Sequence, residues 1–175
     1  MTIFRVRINI FLGSFLACFL LVACKTTEQK KQGKEATTIQ IFLENVNSAA
    51  EKRSITVGER MKTQVNVDLS PFADTADLLN ATVVDIDEMG GFGIRLNFND
   101  HGKLVLDTVT ASSKGMRMPV LVAYTQVRWL GAPRINRRIT DGSLVFTPDC
   151  TRQEAERIVR GLTNVIHKLS KPYVF

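Results

Sequence analysis

The residues best suited to metal binding are few in this sequence and lie far apart. The chain has only two histidines, His101 and His167, and neither has a cysteine or a second histidine at the spacing of a zinc site. The run Asp85-Ile86-Asp87-Glu88 concentrates carboxylates that could hold a calcium ion, but it lacks the loop spacing of an EF-hand. We therefore expect no bound metal. We expect the histidines to lie at the surface or at helix ends, and the carboxylates to form the solvated rim of a hairpin.

Nucleophilic catalysis also lacks a sequence basis. The chain has no Gly-x-Ser-x-Gly elbow, and no motif surrounds the serines that lie near a histidine in sequence, such as Ser112 and Ser113. The glycine-rich run Gly90-Gly91-Phe92-Gly93 leads into a predicted strand, whereas a phosphate cradle needs the amides of a helix N-terminus. The sequence therefore predicts a protein that is not an enzyme and has no cofactor.

Cys24 closes an N-terminal export signal. Arg5 and Arg7 precede an almost wholly apolar run from Ile8 to Val22, which is shorter than the ~20 residues that span a bilayer. The motif Leu21-Val22-Ala23-Cys24 resembles the lipobox of bacterial lipoproteins. That resemblance implies cleavage just before Cys24 and lipid, including palmitate, on this cysteine. The alternative is a plain secretory signal with a chance cysteine.

The predicted signal peptide occupies residues 1–23, and residues 24–38 are predicted to be a flexible tether. The stretch from Lys25 to Thr38 has no large apolar residue, so it cannot bury enough surface to order itself. In Gram-negative lipoproteins, a lysine rather than an aspartate after the lipidated cysteine usually directs the protein to the outer membrane. Lys25 therefore implies an outer-membrane anchor and a periplasm-facing domain in such an envelope.

Charge and cysteine content narrow the partners further. The formal net charge of +6 is mildly basic and is too small to indicate nucleic-acid binding. Of the three cysteines, Cys18 would leave with the signal and Cys24 would carry lipid, so no internal disulfide remains. Cys150 precedes a predicted helix, where a thiol pKa can be lowered, but it lacks a catalytic setting. We expect a buried, structural Cys150.

Residues 39–172 are predicted to form a single α+β domain with a mostly antiparallel sheet and two helices packed on one face. The strands predicted from apolar patterning are 39–43, 61–69, 81–87, 92–98, 119–124, 126–130 and 143–147. A short helical turn is predicted over 74–79, after Pro71, and a hairpin turn over 88–91.

Two capped segments predict the helices. Asn99 and Asp100 offer an N-cap for a helix that runs to about Ser112. Its residues available for packing are Leu104, Val105, Leu106 and Val109. Thr151-x-x-Glu154 is a capping box that opens the second helix. The apolar stripe of that helix consists of Ala155, Ile158, Val159, Leu162, Val165, Ile166 and Leu169.

An ordered series of motifs in the second half carries a family resemblance. The series is strand 92–98, Gly102 opening a helix with Thr108, strands at 120–123 and around Val127, Ala132-Pro133-Arg134-Ile135, Ile139-x-Asp141-Gly142, and Thr151-Arg-Gln-Glu154-Ala155. Over 92–165, and more loosely over 61–91, it resembles the head subdomain of the first periplasmic domain of SecD and SecDF. These proteins are accessory subunits of the Sec translocon. Where that family has an Asp-Gly turn, this chain has Tyr124-Thr125-Gln126.

The resemblance implies a module that contacts polypeptide in the periplasm. SecD also carries membrane spans whose ionisable residues couple proton flow to movement. The 175 residues of this chain provide no such spans after the domain, so we expect no proton-driven motor.

A binding surface is predicted where the only tryptophan lies close to a basic stretch. The candidate partner-binding residues are Val127, Arg128, Trp129, Leu130, Arg134, Arg137 and Arg138. An aromatic beside guanidinium groups on an edge strand could take a partner chain through main-chain hydrogen bonds. In the alternative, Val127 and Trp129 point into the core, and the arginines form an ordinary solvated face or contact headgroups or an acidic partner.

These patterns predict a membrane-anchored lipoprotein that binds an exported polypeptide or an envelope protein and assists export or envelope assembly without catalysis. The alternative is a structural or assembly lipoprotein that binds lipid headgroups or glycan through the basic patch. Two tyrosines and one tryptophan would supply a glycan-stacking platform poorly.

Overall fold

The computed structural model describes residues 33, 35–47, 51–58 and 62–171, and a compact unit begins at Ala36. The predicted signal peptide, Cys24 and most of the predicted tether lie outside these residues. The strands are β1 (Thr38–Ile41), β2 (Arg53–Val57), β3 (Thr63–Val67), β4 (Ala73–Asp74), β5 (Leu78–Asp85), β6 (Phe92–Phe98), β7 (Val120–Ala123), β8 (Val127–Gly131) and β9 (Ser143–Phe146). The helices are α1 (Asp100–Ser112) and α2 (Arg152–Leu169), with a 3-10 turn at Thr75–Asp77.

The strands form three antiparallel groups. One sheet has the order β4-β1-β7-β8, a second has the order β5-β6-β9, and β2 pairs with β3 as a separate hairpin. Every pairing between these strands is antiparallel. The α+β prediction, with mostly antiparallel strands and two helices, is therefore confirmed, although the strands do not form one sheet. No helix in the described part of the chain is long and apolar enough to cross a membrane.

The main core lies between the two larger sheets and the helices. On β6, Ile94, Leu96 and Phe98 are buried while Arg95 is exposed, as the alternation of apolar and polar residues predicts. Helix α2 supplies its buried stripe, which consists of Ala155, Ile158, Leu162 and Ile166. Leu169, predicted to lie on that stripe, is mostly exposed because it occupies the last turn of the helix.

A glycine brings α2 close to the start of β1. A Cβ atom built on Gly161 would lie 3.0 Å from the Cβ atom of Thr37, so only glycine allows this approach without displacement. Thr37 is fully buried, and Thr38 already belongs to β1. Ordered structure thus begins before residue 39, inside the last two residues of the predicted tether.

Helix α1 begins as its capping residue predicts but packs differently. The side-chain oxygen of Asn99 accepts a hydrogen bond from the Gly102 amide at 2.9 Å. Leu106 is fully buried, whereas Leu104 is 66% exposed and does not contribute to the core as predicted. The buried Thr110 hydroxyl accepts from the Ile139 amide at 2.9 Å, which ties the loop after β8 to this helix.

The β2–β3 hairpin forms a second, smaller hydrophobic cluster. Its buried members are Phe42, Ile55, Val57, Val65 and Val67. Strand β2 was not predicted from the sequence, and the strand predicted over 61–69 continues beyond the end of β3 at Val67. Leu69 lies outside the strand and is mostly exposed. The helical turn predicted over 74–79 is shorter in the structure, where it covers only Thr75–Asp77. The last two residues of the predicted turn belong to β5.

Candidate functional site

Strand β8 is the outermost strand of its sheet, and its two faces differ. Arg128 and Leu130 share one face, on which Leu130 is fully buried. On its outer side, the Leu130 carbonyl accepts a hydrogen bond from the Asp149 amide at 2.7 Å. The segment that leads into α2 therefore covers part of the edge that was predicted to pair with a partner. Val127, at the start of the strand, is 68% exposed.

Trp129 belongs to the second hydrophobic cluster. Its ring centroid lies 5.3 Å from that of Phe42, with the ring planes at 68°. The Arg53 guanidinium lies 5.7 Å from the Trp129 centroid and 5.5 Å from that of Phe42, an arrangement that favours a cation–π contact. Trp129 and Leu130 thus pack inward against two different clusters, and Val127 does not point into the core.

Two of the candidate arginines have carboxylate partners. Arg128 forms a salt bridge of 2.6 Å with Glu154, which links β8 to the first turn of α2. Arg138 donates from Nε and Nη2 to the two carboxylate oxygens of Asp107, at 2.5 and 2.8 Å. These hydrogen bonds lower the pKa of Asp107 below its ordinary value. The charges of Arg128 and Arg138 are therefore largely matched within the domain.

Arg134 and Arg137 lie instead at a cleft of about 520 Å³ beside β9. Arg95, on the neighbouring strand β6, lines the same cleft and was missed by the sequence analysis. The other polar lining residues are Asn97, Asn136, Asp141 and Ser143, and the apolar ones include Met118, Ile135, Leu144 and Val145. The only sequence signal for Arg95 was its place on the exposed face of an alternating strand.

The cleft opens because β9 and the chain after β8 diverge. At the closed end, a Cβ atom on Gly131 would lie 3.3 Å from the Thr147 carbonyl oxygen. Further along, residues 133–139 turn toward the loop between α1 and β7 and leave β9. The Ile135 amide donates to the Met116 carbonyl at 2.8 Å, so this wall is held by the other sheet's loop and not by β9.

Strand β9 presents its edge to this cleft. It ends the order β5-β6-β9, so no described strand pairs with its outer side. The Phe98 amide donates to the Gly142 carbonyl at 2.9 Å, which places Gly142, Leu144 and Phe146 in the hydrogen-bonded positions toward β6. By alternation, the amide and carbonyl groups of Ser143 and Val145 point away from β6. The Ser143 amide donates to Asp141 Oδ1 at 3.1 Å.

The cleft is electropositive. Arg95 and Arg137 are exposed and make no salt bridge with any residue that the structure describes. Arg134 donates one N–H to the Gly115 carbonyl at 2.7 Å, which leaves further donors on its guanidinium. Asp141 is the one carboxylate among the described lining residues, so three positive charges face one negative charge.

The residues considered for metal binding serve local structure. Asp85 pairs with Arg152, and Asp87 Oδ1 accepts from the amides of Met89 and Gly91, which holds the β5–β6 turn. His101 Nδ1 lies 2.7 Å from a carboxylate oxygen of Asp77, next to the start of α1. Within the described ranges, no group of three potential ligands could hold a metal ion.

Cys150 is half-buried just before α2. Burial, together with the nearby Glu154 carboxylate, raises the pKa of its thiol to about 11. A thiol in this environment is protonated at neutral pH and is a poor nucleophile.

Known proteins match this chain in fold but not in sequence. No protein-family model matches the chain, and no curated protein matches it significantly in sequence. A structure of SecDF, described as a membrane component that enhances protein export, matches with a TM-score of 0.55 and 18% identity, covering 81% of this chain and 68% of that chain.

A crystal structure of SecDF in its super-membrane-facing form matches with a TM-score of 0.56 and 18% identity. That match covers 81% of this chain but only 20% of that one, so this chain corresponds to a fifth of that SecDF chain. The resemblance to a SecD-like domain is thereby supported at the level of the fold: the chain adopts, over 81% of its length, a fold that is also found in SecDF.

Proposed function

We propose that this protein is a membrane-anchored, periplasm-facing lipoprotein whose SecD head-like domain binds polypeptide without catalysis. Its role would be to assist protein export or envelope assembly. The observation that carries the proposal is the unpaired edge of β9 beside an arginine-lined cleft. An open strand edge offers main-chain hydrogen bonds that any extended polypeptide can use, whatever its sequence.

The fold and the N-terminal motif support a role in protein export at the membrane surface. The matched SecDF is described as enhancing protein export, and polypeptide binding by a shared fold agrees with that description. The predicted lipid on Cys24 would keep the domain at the membrane surface through which exported chains emerge.

The alternative of headgroup or glycan binding through the basic patch receives less support from the geometry. Arg138 is engaged by Asp107, so one of the three arginines of the basic stretch Arg134–Arg138 on which that patch depended is neutralised. Trp129 packs against Phe42 and is not displayed as a stacking platform.

Photo-crosslinking in living cells tests the proposal. We would place the probe at Val145 or Arg137 in the cleft, with Leu104 on the exposed face of α1 as the matched control position. We expect adducts to many exported chains from the two cleft positions, few from Leu104, and none when export is blocked. One stable adduct to an envelope protein, unchanged by the block, would indicate an assembly component. Equal adducts from all three positions would contradict the cleft as the binding site.

A further inference from the structure

We propose that the cleft takes a short extended segment rich in aspartate and glutamate, which adds to β9 as a further antiparallel or parallel strand. This inference rests on the proposed function and names the class of polypeptide that the site prefers.

Apart from the Ser143 amide, which donates to Asp141, the edge of β9 lacks the features that usually prevent strand addition. Natural edge strands are protected by proline, lysine, a bulge or a covering segment. Strand β9 has the sequence Ser-Leu-Val-Phe and pairs with β6 without a register shift. Its outward amide and carbonyl at Val145 face the cleft, and the side chain of Val145 is 42% exposed. An unprotected edge that lies beside a cleft is suited to receiving a strand.

The dimensions of the site favour a short segment. Strand β9 has four residues, so an added strand would form only a few main-chain hydrogen bonds. The added residues would alternate between two environments. One set of side chains would lie on the open sheet face beside Val145 and Arg95. The other set would face the side of the cleft that Ile135 and Leu144 line.

The positive charge of the cleft favours a bound segment that contains carboxylates. Arg95 and Arg137 are unmatched by any described carboxylate, and Arg134 keeps free donors. Asp141 is already engaged by the Ser143 amide and only partly offsets these charges. Carboxylates on the bound segment would form charge-assisted hydrogen bonds with the guanidinium groups, whereas lysines would be repelled.

The test uses the purified full chain in detergent and three fluorescent peptides. The first alternates glutamate and valine, the second has lysine in place of glutamate, and the third is the acidic peptide with alternate backbone amides methylated. We expect the acidic peptide to bind, the lysine peptide to bind at least about tenfold more weakly, and added salt to reduce the difference. When the methylated amides are those of the peptide that face β9, binding should be abolished, because these amides can no longer donate hydrogen bonds to the β9 carbonyls.

Arginine variants test which side chains are responsible for the preference for the acidic peptide. The double variant Arg95→Gln/Arg137→Gln should weaken binding of the acidic peptide by about tenfold, since each exposed charge contributes modestly. Arg138→Gln is the matched control, because this arginine is exposed but engaged by Asp107, and its binding should stay within about twofold. Protection of the Val145 amide from hydrogen exchange on peptide addition would report strand pairing even if a variant folds poorly.

Several results would overturn the inference. They are equal binding of the acidic and lysine peptides, no effect of backbone methylation, or equal loss in the Arg138→Gln control. Binding of anionic lipid vesicles through Arg95 and Arg137, with no peptide bound, would show instead a headgroup surface. If crosslinks to exported chains persist at Val145 without charge selection, the proposed function stands and this inference fails. If crosslinks and peptide binding are both absent, both fail.

Discussion

The arginines of this domain differ chiefly in whether a carboxylate already neutralises them. Arg138 lies in a two-point contact with Asp107, and Arg128 lies 2.6 Å from Glu154. Arg95 and Arg137 have no such partner among the described residues. A guanidinium with a carboxylate partner has little attraction left for a ligand, so the unmatched arginines would dominate the recognition of the anionic segment that we propose.

That difference explains how far the candidate site could be predicted. The sequence indicated Arg134 and Arg137, because they lie in one dense basic run. It could not indicate that Asp107, 31 positions away, engages Arg138. Nor could it place Arg95 in the cleft that Arg137 lines, since Arg95 reaches this cleft only through the pairing of β6 with β9. The local sequence shows which residues are charged, whereas the tertiary structure determines which of these charges are not neutralised by a salt bridge.

Cys150 provides a prediction at the level of one residue. Burial and then the Glu154 carboxylate raise the pKa of its thiol from 9.0 to about 11, so the folded state retains the proton more strongly than the unfolded state. The associated stability should be fully present below pH 9.0 and should be lost as the pH rises through about 11. Near neutral pH, alkylation by iodoacetamide should be much slower in the folded protein than in urea.

The measurement needs Cys150 as the sole thiol, so Cys18 and Cys24 are replaced by serine. Glu154→Gln is an informative comparison, because losing this negative charge should lower the pKa of Cys150 and speed alkylation. Alkylation of the folded protein at the rate seen in urea would contradict a buried, protonated thiol.

At the scale of elements, the β2–β3 hairpin is held to the rest of the domain by one side-chain cluster and by main-chain hydrogen bonds between residues 43–45 and 66–68. Phe42 and Trp129 contact it from β1's end and from β8, and Arg53 lies over both rings. Trp129→Ala should therefore lower the free energy of unfolding by about 2 kcal/mol, less than for a fully buried aromatic residue. Val127→Ala, two positions earlier and exposed, should change it by less than about 0.5 kcal/mol.

Urea unfolding followed by far-ultraviolet circular dichroism checks this pair of variants. Equal effects of the two substitutions, or a negligible effect of Trp129→Ala, would mean that Trp129 is not a packing residue of the second cluster. The alternative of a ligand-contacting tryptophan would then regain support.

Elements with a strong local pattern could be predicted, and those defined by tertiary packing could not. The strict alternation of β6 and the capping box at Thr151 gave nearly correct bounds for β6 and α2. Strand β2 was missed because it is short and shows only Ile55 and Val57 as buried apolar residues. In α1, Leu104 and Leu106 look alike in sequence, and only the position of the neighbouring strands decides that Leu106 is the buried one.

For the whole molecule, the testable expectation is anchoring through Cys24. Replacing Cys24 by alanine should prevent incorporation of radiolabelled palmitate and should move the protein from the membrane fraction to the soluble periplasmic fraction. Cys18→Ala is the matched control, because this cysteine lies within the predicted signal and should leave both results unchanged. Labelling that persists without Cys24 would contradict the lipobox interpretation.

The overall fold was predictable from the order of its motifs, although the matched SecDF structures are only 18% identical. The order of strands, turns and capped helices survives at this identity because it depends on periodicity and capping and not on particular side chains. Specificity depends on particular side chains, so the proposed preference of the cleft is argued from Arg95, Arg134 and Arg137 and not from the resemblance.

The close approach of Gly161 to Thr37 has a mechanical consequence. Strand β1 lies between β4 and β7, and α2 packs over its first residues through this glycine. Pulling β1 out of the domain would have to break its hydrogen bonds to both β4 and β7 and also separate Thr37 from α2. The first strand of the described domain is thus an interior strand, hydrogen-bonded on one edge to β7 and on the other edge, at Gln40 and Ile41, to β4.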